Sequence, residues 1–249
     1  MGSLLASWHN ETEKLWLRKR TKAMLGLAVL VPIVITLAVT ILDRAVGFTA
    51  VLGGQVSVLT LNLLTGLLLP LFLFMSAVDL FTGETAARTM KLTLVRPVTR
   101  AKLYAAKALA LVSSAALMLA AAWIASSVCG FLVPSADPLQ DWADGSIAFA
   151  VSVMPMLAVG LIGAWIALYF TNSAAALGCM MLVYVAAKLL PVLYPPLALW
   201  SPFSYTDWHT LWSGDGAPAG KLLQSFFILL AYSMMAYVGS VSRFERKAF

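Results

Sequence analysis

The sequence predicts an all-α integral membrane protein with six transmembrane helices, preceded by an amphipathic helix at the membrane interface. Of its 249 residues, 61% are apolar and only 11% are charged, whereas about a quarter of an ordinary soluble domain is charged. The mean hydropathy of +0.89 excludes a disordered chain, a collagen, a small disulfide-linked scaffold and almost any soluble enzyme. We expect residues 1–249 to form a single transmembrane domain.

Six apolar runs are long enough to cross a bilayer, which takes about 20 apolar residues in a helix. Because backbone polar groups in lipid must bond within their own segment, these runs are predicted as helices. Pro70 and Pro155 fall inside two of the runs and are expected to kink the helices without ending them. The predicted spans are residues 24–42, 59–80, 103–131, 147–170, 174–193 and 222–241.

The basic residues indicate the orientation of the chain. Six spans place both termini on one side, and fourteen of the seventeen Lys and Arg residues fall on that side. The positive-inside rule identifies that side as the cytoplasm. Arg44 and Lys221 fall on the opposite side, and Lys188 lies within the fifth span. This distribution explains the net positive charge by topology and gives no reason to expect nucleic acid as a partner.

Residues 1–23 are predicted to form the amphipathic interfacial helix. One apolar face covers about one third of the helix circumference, with charged residues elsewhere, which is typical of a helix lying in the interface. The residues of that face are Leu4, Leu5, Trp8, Thr12, Leu15 and Trp16. Because the basic run follows the first apolar residues, the segment does not have the order of a cleavable signal peptide. A flexible soluble tail is the alternative.

Signatures of catalysis and of metal binding are lacking in the sequence. The two histidines, His9 and His209, fall on opposite sides of the membrane, and no HExxH pair is present, so a zinc protease is not supported. The glycine-containing stretch before Lys221 has the wrong spacing for a nucleotide loop, and Leu222 stands where that loop has Ser or Thr. We therefore expect no enzyme activity, no metal and no bound cofactor in this chain.

Ionisable residues inside predicted spans are candidates for the transport pathway. Asp79 lies near the cytoplasmic end of the second span, and Lys188 lies toward the outer end of the fifth. For Lys188 the alternative is a side chain that extends along apolar surface and places its ammonium at the interface. With so few charges in the spans, a proton-relay pump is not favoured.

The external stretch 194–220 combines aromatic residues with five neighbouring prolines at positions 191–218. Its aromatic side chains include Trp200, Phe203, Trp208 and Trp212. One interpretation is an aromatic belt at the membrane surface. The other is a short re-entrant helix, which would need protein around its backbone.

The cytoplasmic stretch 82–104 is the most informative part of the sequence. Residues 79–107 carry six basic residues, and their only acids are Asp79 and Glu84. A helix is predicted over 84–95, Pro97 interrupts it, and Thr99 is a plausible N-cap for the third span. The result would be a stiff helix–elbow–helix on the cytoplasmic face. Composition alone would equally fit a basic loop that only sets the topology.

The order of residues here resembles the permease subunits of type-2 ABC transporters, which are ABC exporters. The family pattern is an acid, a glutamate, a threonine, P-V-[ST]-R and a following lysine. The matching residues are Asp79, Glu84, Thr89, Pro97-Val98-Thr99-Arg100 and Lys107, and Arg88 departs from the glycine common in the family. The six spans, the N-terminal helix and the aromatic external stretch extend the resemblance to nearly the whole chain.

The resemblance implies that this chain forms half of the translocation pathway, paired with a second copy or a homologous permease in contact with membrane lipid. Two separate ABC ATP-binding subunits would bind ATP and Mg and drive export across the plasma (inner) membrane of a prokaryote, with both termini cytoplasmic. The ATPase-coupling residues would be Glu84, Arg88, Thr89, Lys91, Arg96, Pro97, Thr99 and Arg100. The resemblance also implies that the external stretch forms a lid over the pathway, with Trp200, Phe203, Trp208 and Trp212 as candidate lid residues. A stiff helical element with charge-assisted contacts suits such a role.

The substrate expected from the resemblance is hydrophobic or amphipathic, such as a peptide antibiotic, a drug or a lipid. Two other functional classes are alternatives: a six-span membrane scaffold that transports nothing, and a secondary transporter driven by an ion gradient. Paired acids at broken helices would favour the secondary transporter, and the sequence has little of that pattern.

Overall fold

The computed structural model describes residues 2–46, 56–86, 99–132, 138–212 and 217–247. Within these ranges the regular structure is helical throughout and contains no strand. Two short 3₁₀ helices, Pro195–Leu199 and Pro202–Leu211, precede the last helix. The longer helices are α1 Gly2–Trp16, α2 Lys19–Val46, α3 Val56–Ala86, α4 Arg100–Gly130, α5 Pro138–Ala167, α6 Ser173–Leu193 and α7 Ala219–Arg246.

Helices α2 to α7 are the six helices in the described ranges that are long and apolar enough to cross a membrane. The predicted all-α membrane architecture with six spans is therefore confirmed. The largest difference in bounds is at α5, which begins at Pro138, nine residues before the predicted span 147–170, and ends at Ala167. Asp141 lies in the first turn of α5, where a carboxylate is favourable because it faces the positive end of the helix.

The N-terminal helix is shorter than the predicted segment 1–23. Helix α1 ends at Trp16, a break follows, and α2 already begins at Lys19. Its buried face packs against α4, where the indole Nε1 of Trp8 donates to Ser113 Oγ at 3.3 Å. Leu5, on the predicted apolar face, is 55% exposed on the protein surface. A residue that faces lipid is exposed in this way, so the interfacial position of α1 stays a prediction.

Neither predicted kink proline ends its span, although α5 is interrupted by one residue before Pro155. Helix α3 continues through Pro70, directly after a π-helical turn at Leu64–Leu68, and contains a second π turn at Val78–Gly83. A π turn shifts the hydrogen-bond register by one residue, which lets a helix accommodate a position without its regular bond. In α5 the break before Pro155 lies at Ser152, whose hydroxyl donates to the Ala148 carbonyl oxygen at 2.7 Å.

Helix α5 is the centre of the bundle and packs against α3, α4 and α7. Small residues on α5 allow close approach. A Cβ atom at Gly163 would lie 2.8 Å from Cδ1 of Phe74 on α3, and one at Gly160 would lie 3.3 Å from Cδ2 of Leu111 on α4. Helices α2, α6 and α7 are far less covered, so their apolar sides are available to lipid or to another membrane protein.

Candidate functional site

A buried charge cluster joins α1, α3 and α4. Lys107 lies in the second turn of α4 and is 0% exposed; its Nζ is 2.9 Å from Glu11 Oε2 on α1 and 2.8 Å from Glu84 Oε2 on α3. Glu11 is 1% exposed and Glu84 13%. A buried ammonium is tolerated only when it is paired and hydrogen-bonded. Lys107 therefore needs both carboxylates, and this requirement holds the three helices together.

Lys14 completes the cluster at its rim. Its Nζ lies 2.8 Å from Glu11 Oε1 and 3.4 Å from Glu84 Oε1, and its side chain is 41% exposed. Each carboxylate thus uses one oxygen for Lys107 and the other for Lys14. The two negative and two positive charges balance. Together, Glu11, Lys14, Glu84 and Lys107 form the charge cluster.

The cluster shifts the ionisation of its two α1 residues. Burial by itself raises the pKa of Glu11, but the ammonium groups of Lys107 and Lys14 outweigh burial and hold that pKa below its usual range. Burial lowers the pKa of Lys14, but the carboxylates of Glu11 and Glu84 outweigh it and raise that pKa. Both side chains are therefore charged at neutral pH, which keeps α1 attached by ion pairs.

A second ion pair connects the start of α2 to α3. Arg18 lies in the break between α1 and α2, and its Nη1 is 2.9 Å from Asp79 Oδ2. Asp79 belongs to the π turn Val78–Gly83, near the C-terminal end of α3. The predicted pathway residue Asp79 thus forms an ion pair with Arg18. Its role in the pathway stays a prediction.

The predicted coupling segment is described at its two ends. Glu84 faces Lys107, and Thr99 is the N-cap of α4: it has extended backbone angles, and its Oγ1 accepts a hydrogen bond from Lys102 N at 3.4 Å. The N-cap prediction is confirmed. Five of the predicted coupling residues lie outside the described residues, and a contact with an ATPase stays a prediction for all eight; these five are Arg88, Thr89, Lys91, Arg96 and Pro97.

Arg100, the last residue of the predicted coupling set, contacts the C-terminal end of α7. Its Nη1 donates to the backbone carbonyl oxygens of Glu245 at 2.8 Å and Lys247 at 2.9 Å. The carbonyls at the end of a helix have no partner within the helix and carry partial negative charge. Arg100 therefore caps α7, a role that the sequence pattern does not indicate.

The sequence analysis missed the partnership of Glu11 with Lys107. Two signals could have revealed it. Glu11 stands three residues after Trp8 and four before Leu15. Residues at these spacings share one side of a helix, so an acid lies on the apolar face of α1. Lys107 lies inside an apolar run and needs a counter-charge. An acid on an apolar helix face and a lysine in an apolar run each need an opposite charge, so the two could have been predicted to pair.

The external segment, residues 194–220, is partly folded into the protein. Phe203 is buried and packs edge-on against the ring of Tyr184 on α6, with centroids 5.5 Å apart. Trp208 is buried with Leu229 of α7 and stacks edge-on with Trp212 at 5.6 Å. Trp200, by contrast, is 74% exposed. Two of the four predicted lid residues are thus packed in the core, and their function as a lid stays a prediction.

Polar contacts attach the external segment to α3 and α6. Lys188 Nζ of α6 lies 3.0 Å from Asp207 Oδ2, so Lys188 has an ion-pair partner in the external segment. His209 is fully buried, and its Nε2 is 3.0 Å from Asn62 Oδ1 of α3. Burial lowers the pKa of His209 to about 4. The imidazole is therefore neutral at physiological pH and serves as a packed hydrogen-bonding group.

The described ranges contain no group of three or more His, Cys, Asp or Glu side chains that could hold a metal ion. Cys129 and Cys179 are free thiols in the structure.

The chain matches a known protein family. A family model described as "ABC-2 family transporter protein" matches residues 9–188. The match covers more than half of the chain, starts within α1 and includes the charge cluster and α2 to α5. No curated protein matches the chain.

Proposed function

Because the chain belongs to the ABC-2 transporter family and is a multi-pass membrane permease of an ABC transporter, we propose that it forms the pathway of an ATP-driven exporter. Permeases of this family generally work with an ATP-binding subunit. In our proposal the complex contains two such subunits, which bind ATP and Mg, and two permeases, either identical or homologous. This chain then contributes no catalytic group and no cofactor.

The proposed location is the plasma (inner) membrane of a prokaryote, with both termini in the cytoplasm and lipid around the spans. The bias of Lys and Arg toward one side supports this orientation. It places the charge cluster and the connection 82–104 on the cytoplasmic side, where an ATP-binding subunit would dock.

The charge cluster is the observation that carries the proposal. It joins α1 to the cytoplasmic parts of α3 and α4, the two helices that the connection 82–104 links. A displacement of that connection by an ATPase acts on α3 and α4. Because separating a buried ion pair leaves an uncompensated charge, the cluster resists separation and makes α1 move with them. The cluster thereby supports transmission of motion into the spans.

The ATPase contacts in this proposal are residues of the connection 82–104, among them Arg96, the basic residue that precedes Pro97 in the sequence. The substrate is hydrophobic or amphipathic, such as a peptide antibiotic, a drug or a lipid. The apolar composition of the spans supports this class because it offers few groups to a small polar ion.

Co-purification with an ATP-binding subunit is the first test. The chain is expressed with a neighbouring ATP-binding protein, extracted in mild detergent and reconstituted into vesicles. We expect one ATP-binding subunit per permease and an ATPase rate that depends on the permease. Repeated purification of the chain alone would contradict the proposal and favour the scaffold, whereas transport driven by an ion gradient without ATP would favour the secondary transporter.

Charge reversal tests the contact surface. In the co-purified complex, Arg96→Glu is expected to uncouple ATP hydrolysis from transport while the protein still inserts and retains its helical content. Lys22→Glu is a matched control, because Lys22 is an exposed basic residue on the cytoplasmic part of α2. Full transport by the Arg96→Glu variant would contradict the coupling assignment.

A further inference from the structure

The C-terminal end of α7 is held by contacts from two other helices. Arg100, the first residue of α4, donates to the carbonyl oxygens of Glu245 and Lys247 at 2.8 and 2.9 Å. Lys247 in turn donates from Nζ to the carbonyl oxygen of Leu168, at the end of α5, at 2.8 Å. These hydrogen bonds connect α4 to α7 and α7 to α5. The residues that make them, Arg100, Glu245, Lys247 and Leu168, form the C-terminal joint.

Each bond in the C-terminal joint is charge-assisted. An arginine or lysine that caps a helix end satisfies carbonyls with no partner in the helix and interacts with the negative end of the helix dipole. Such bonds are about twice as strong as neutral ones. The guanidinium of Arg243 adds a contact over the ring of Tyr169, 4.9 Å from its centroid, next to the α5 end. The joint therefore links the three helix ends firmly.

Helices α5 and α7 form one packed pair along their length. At the cytoplasmic half, a Cβ atom at Gly239 would lie 3.1 Å from the indole of Trp165, so only glycine allows this approach without displacement. Farther along the pair, Ala158 of α5 and Leu229 of α7 lie in one buried cluster with Trp208 of the external segment. The pair thus connects the C-terminal joint at one end to the external segment at the other.

We propose that the C-terminal joint is a second coupling element, in which Arg100 and Lys247 are positioning residues that transmit displacement of the connection 82–104 through α5 and α7 to the external segment. This inference rests on the proposed function. The charge cluster moves α1 with α3 and α4, whereas the joint acts on α5 and α7. A helix of 28 residues, at about 1.5 Å per residue, carries the displacement over about 40 Å, which is the thickness of the bilayer.

The test measures the external segment while the perturbation is made at the cytoplasmic end. Thr210 is exposed on the external segment, and Thr210→Cys provides a thiol there after Cys129→Ala and Cys179→Ala remove the native thiols. The rate of maleimide labelling at position 210 is measured in the reconstituted complex, with and without ATP. In the parent protein we expect ATP to change this rate.

Arg100→Gln and Lys247→Met break the joint at different bonds. We expect either substitution to reduce the ATP-dependent change in labelling by about 2- to 30-fold, the range seen when coupling residues are replaced. The ATP-binding subunit should still co-purify with the Lys247→Met protein, because Lys247 lies outside the predicted coupling set. Lys102→Gln is the matched control: Lys102 is exposed in the same turn as Arg100, and no ion pair of its side chain occurs among the described residues.

The outcomes separate the two proposals. If ATP changes labelling equally in the parent, Arg100→Gln and Lys247→Met proteins, the joint does not transmit the displacement and this inference is overturned while the exporter proposal stands. If labelling of the parent protein is insensitive to ATP, the proposed function fails and the inference fails with it. Lys247→Met keeps the test valid if Arg100→Gln does not fold.

Discussion

The Nζ atom of Lys107 lies 2.9 Å from a carboxylate oxygen of Glu11, a residue 96 positions earlier in the chain. Both side chains are buried, and Glu84 completes the pairing from α3. An amphipathic helix that only rested on the membrane would need no such contact. The pair shows that α1 packs into the protein core beside the start of α4, and its energetics can be tested directly.

Removing the buried ammonium is expected to be costly. Lys107→Met leaves Glu11 and Glu84 buried beside each other without the charge between them, and breaking a buried ion pair from one side typically costs about 3–5 kcal/mol. Thermal unfolding in detergent measures the loss. Lys22→Met, an exposed lysine on α2, is the control and is expected to change stability little.

The double variant Glu11→Gln/Lys107→Met distinguishes the ion pair from simple packing. Because it removes one uncompensated carboxylate as well as the ammonium, it should be more stable than Lys107→Met alone. An equal or lower stability of the double variant would contradict the electrostatic explanation.

The attachment of α1 should weaken in acid. The pKa of Glu11 in the folded protein lies below its ordinary value of 4.5, so its ionised form stabilises the fold above pH 4.5. That contribution is lost as the pH falls through the lowered pKa. We expect the difference in melting temperature between the parent and Glu11→Gln to be constant near neutral pH and to shrink below pH 4.5. A difference independent of pH down to strong acid would contradict the assignment.

Burial of His209 in the external segment should give the stability of the protein a second pH dependence. Its folded pKa is about 4 against an ordinary value of 6.5, so between these values the unfolded chain takes up a proton that the folded protein does not. Stability should therefore fall by up to about 3 kcal/mol as the pH drops from 6.5 to 4. His209→Gln should flatten this part of the profile. His9→Gln, at the exposed histidine of α1, should leave it unchanged.

The contact of α5 with α3 requires glycine at position 163. A methyl group there would come within 2.8 Å of Phe74 Cδ1, which is buried and cannot move freely. We expect Gly163→Ala to destabilise the protein by about 1–3 kcal/mol, as overpacking commonly does. Gly178→Ala on α6 meets no atom within 4 Å and serves as the control. Equal melting temperatures for the two variants would show that α3 and α5 are not in close contact.

The ion pair of Lys188 with Asp207 is expected to contribute little to stability. Both side chains are partly exposed, and pairs of this kind contribute about 0–1 kcal/mol. A double-mutant cycle with Lys188→Met and Asp207→Asn measures their coupling. If Lys188→Met abolishes transport with little change in stability, Lys188 belongs to the pathway; unchanged transport assigns it to holding the external segment.

The secondary structure was largely predictable because its signals are local. Apolar runs identified the six spans. A threonine directly before the third span, Thr99, identified an N-cap. The extra turns of α5 were missed because Asp141 and Asp144 are polar. The contact of Trp8 with Ser113 on α4 was not predicted, because it depends on where α4 lies, which no local pattern contains.

The sequence by itself determined the number of spans and the resemblance to the ABC-2 family, because hydropathy and short motifs depend on neighbouring residues. It also indicated the orientation, which stays a prediction. Only the tertiary structure decided which charges meet. Glu84 and Lys107 are 23 positions apart, and Arg100 and the Lys247 carbonyl are 147 apart. The strength of an ion pair or a capping bond depends on distance and burial in space, and these are set only when the helices pack.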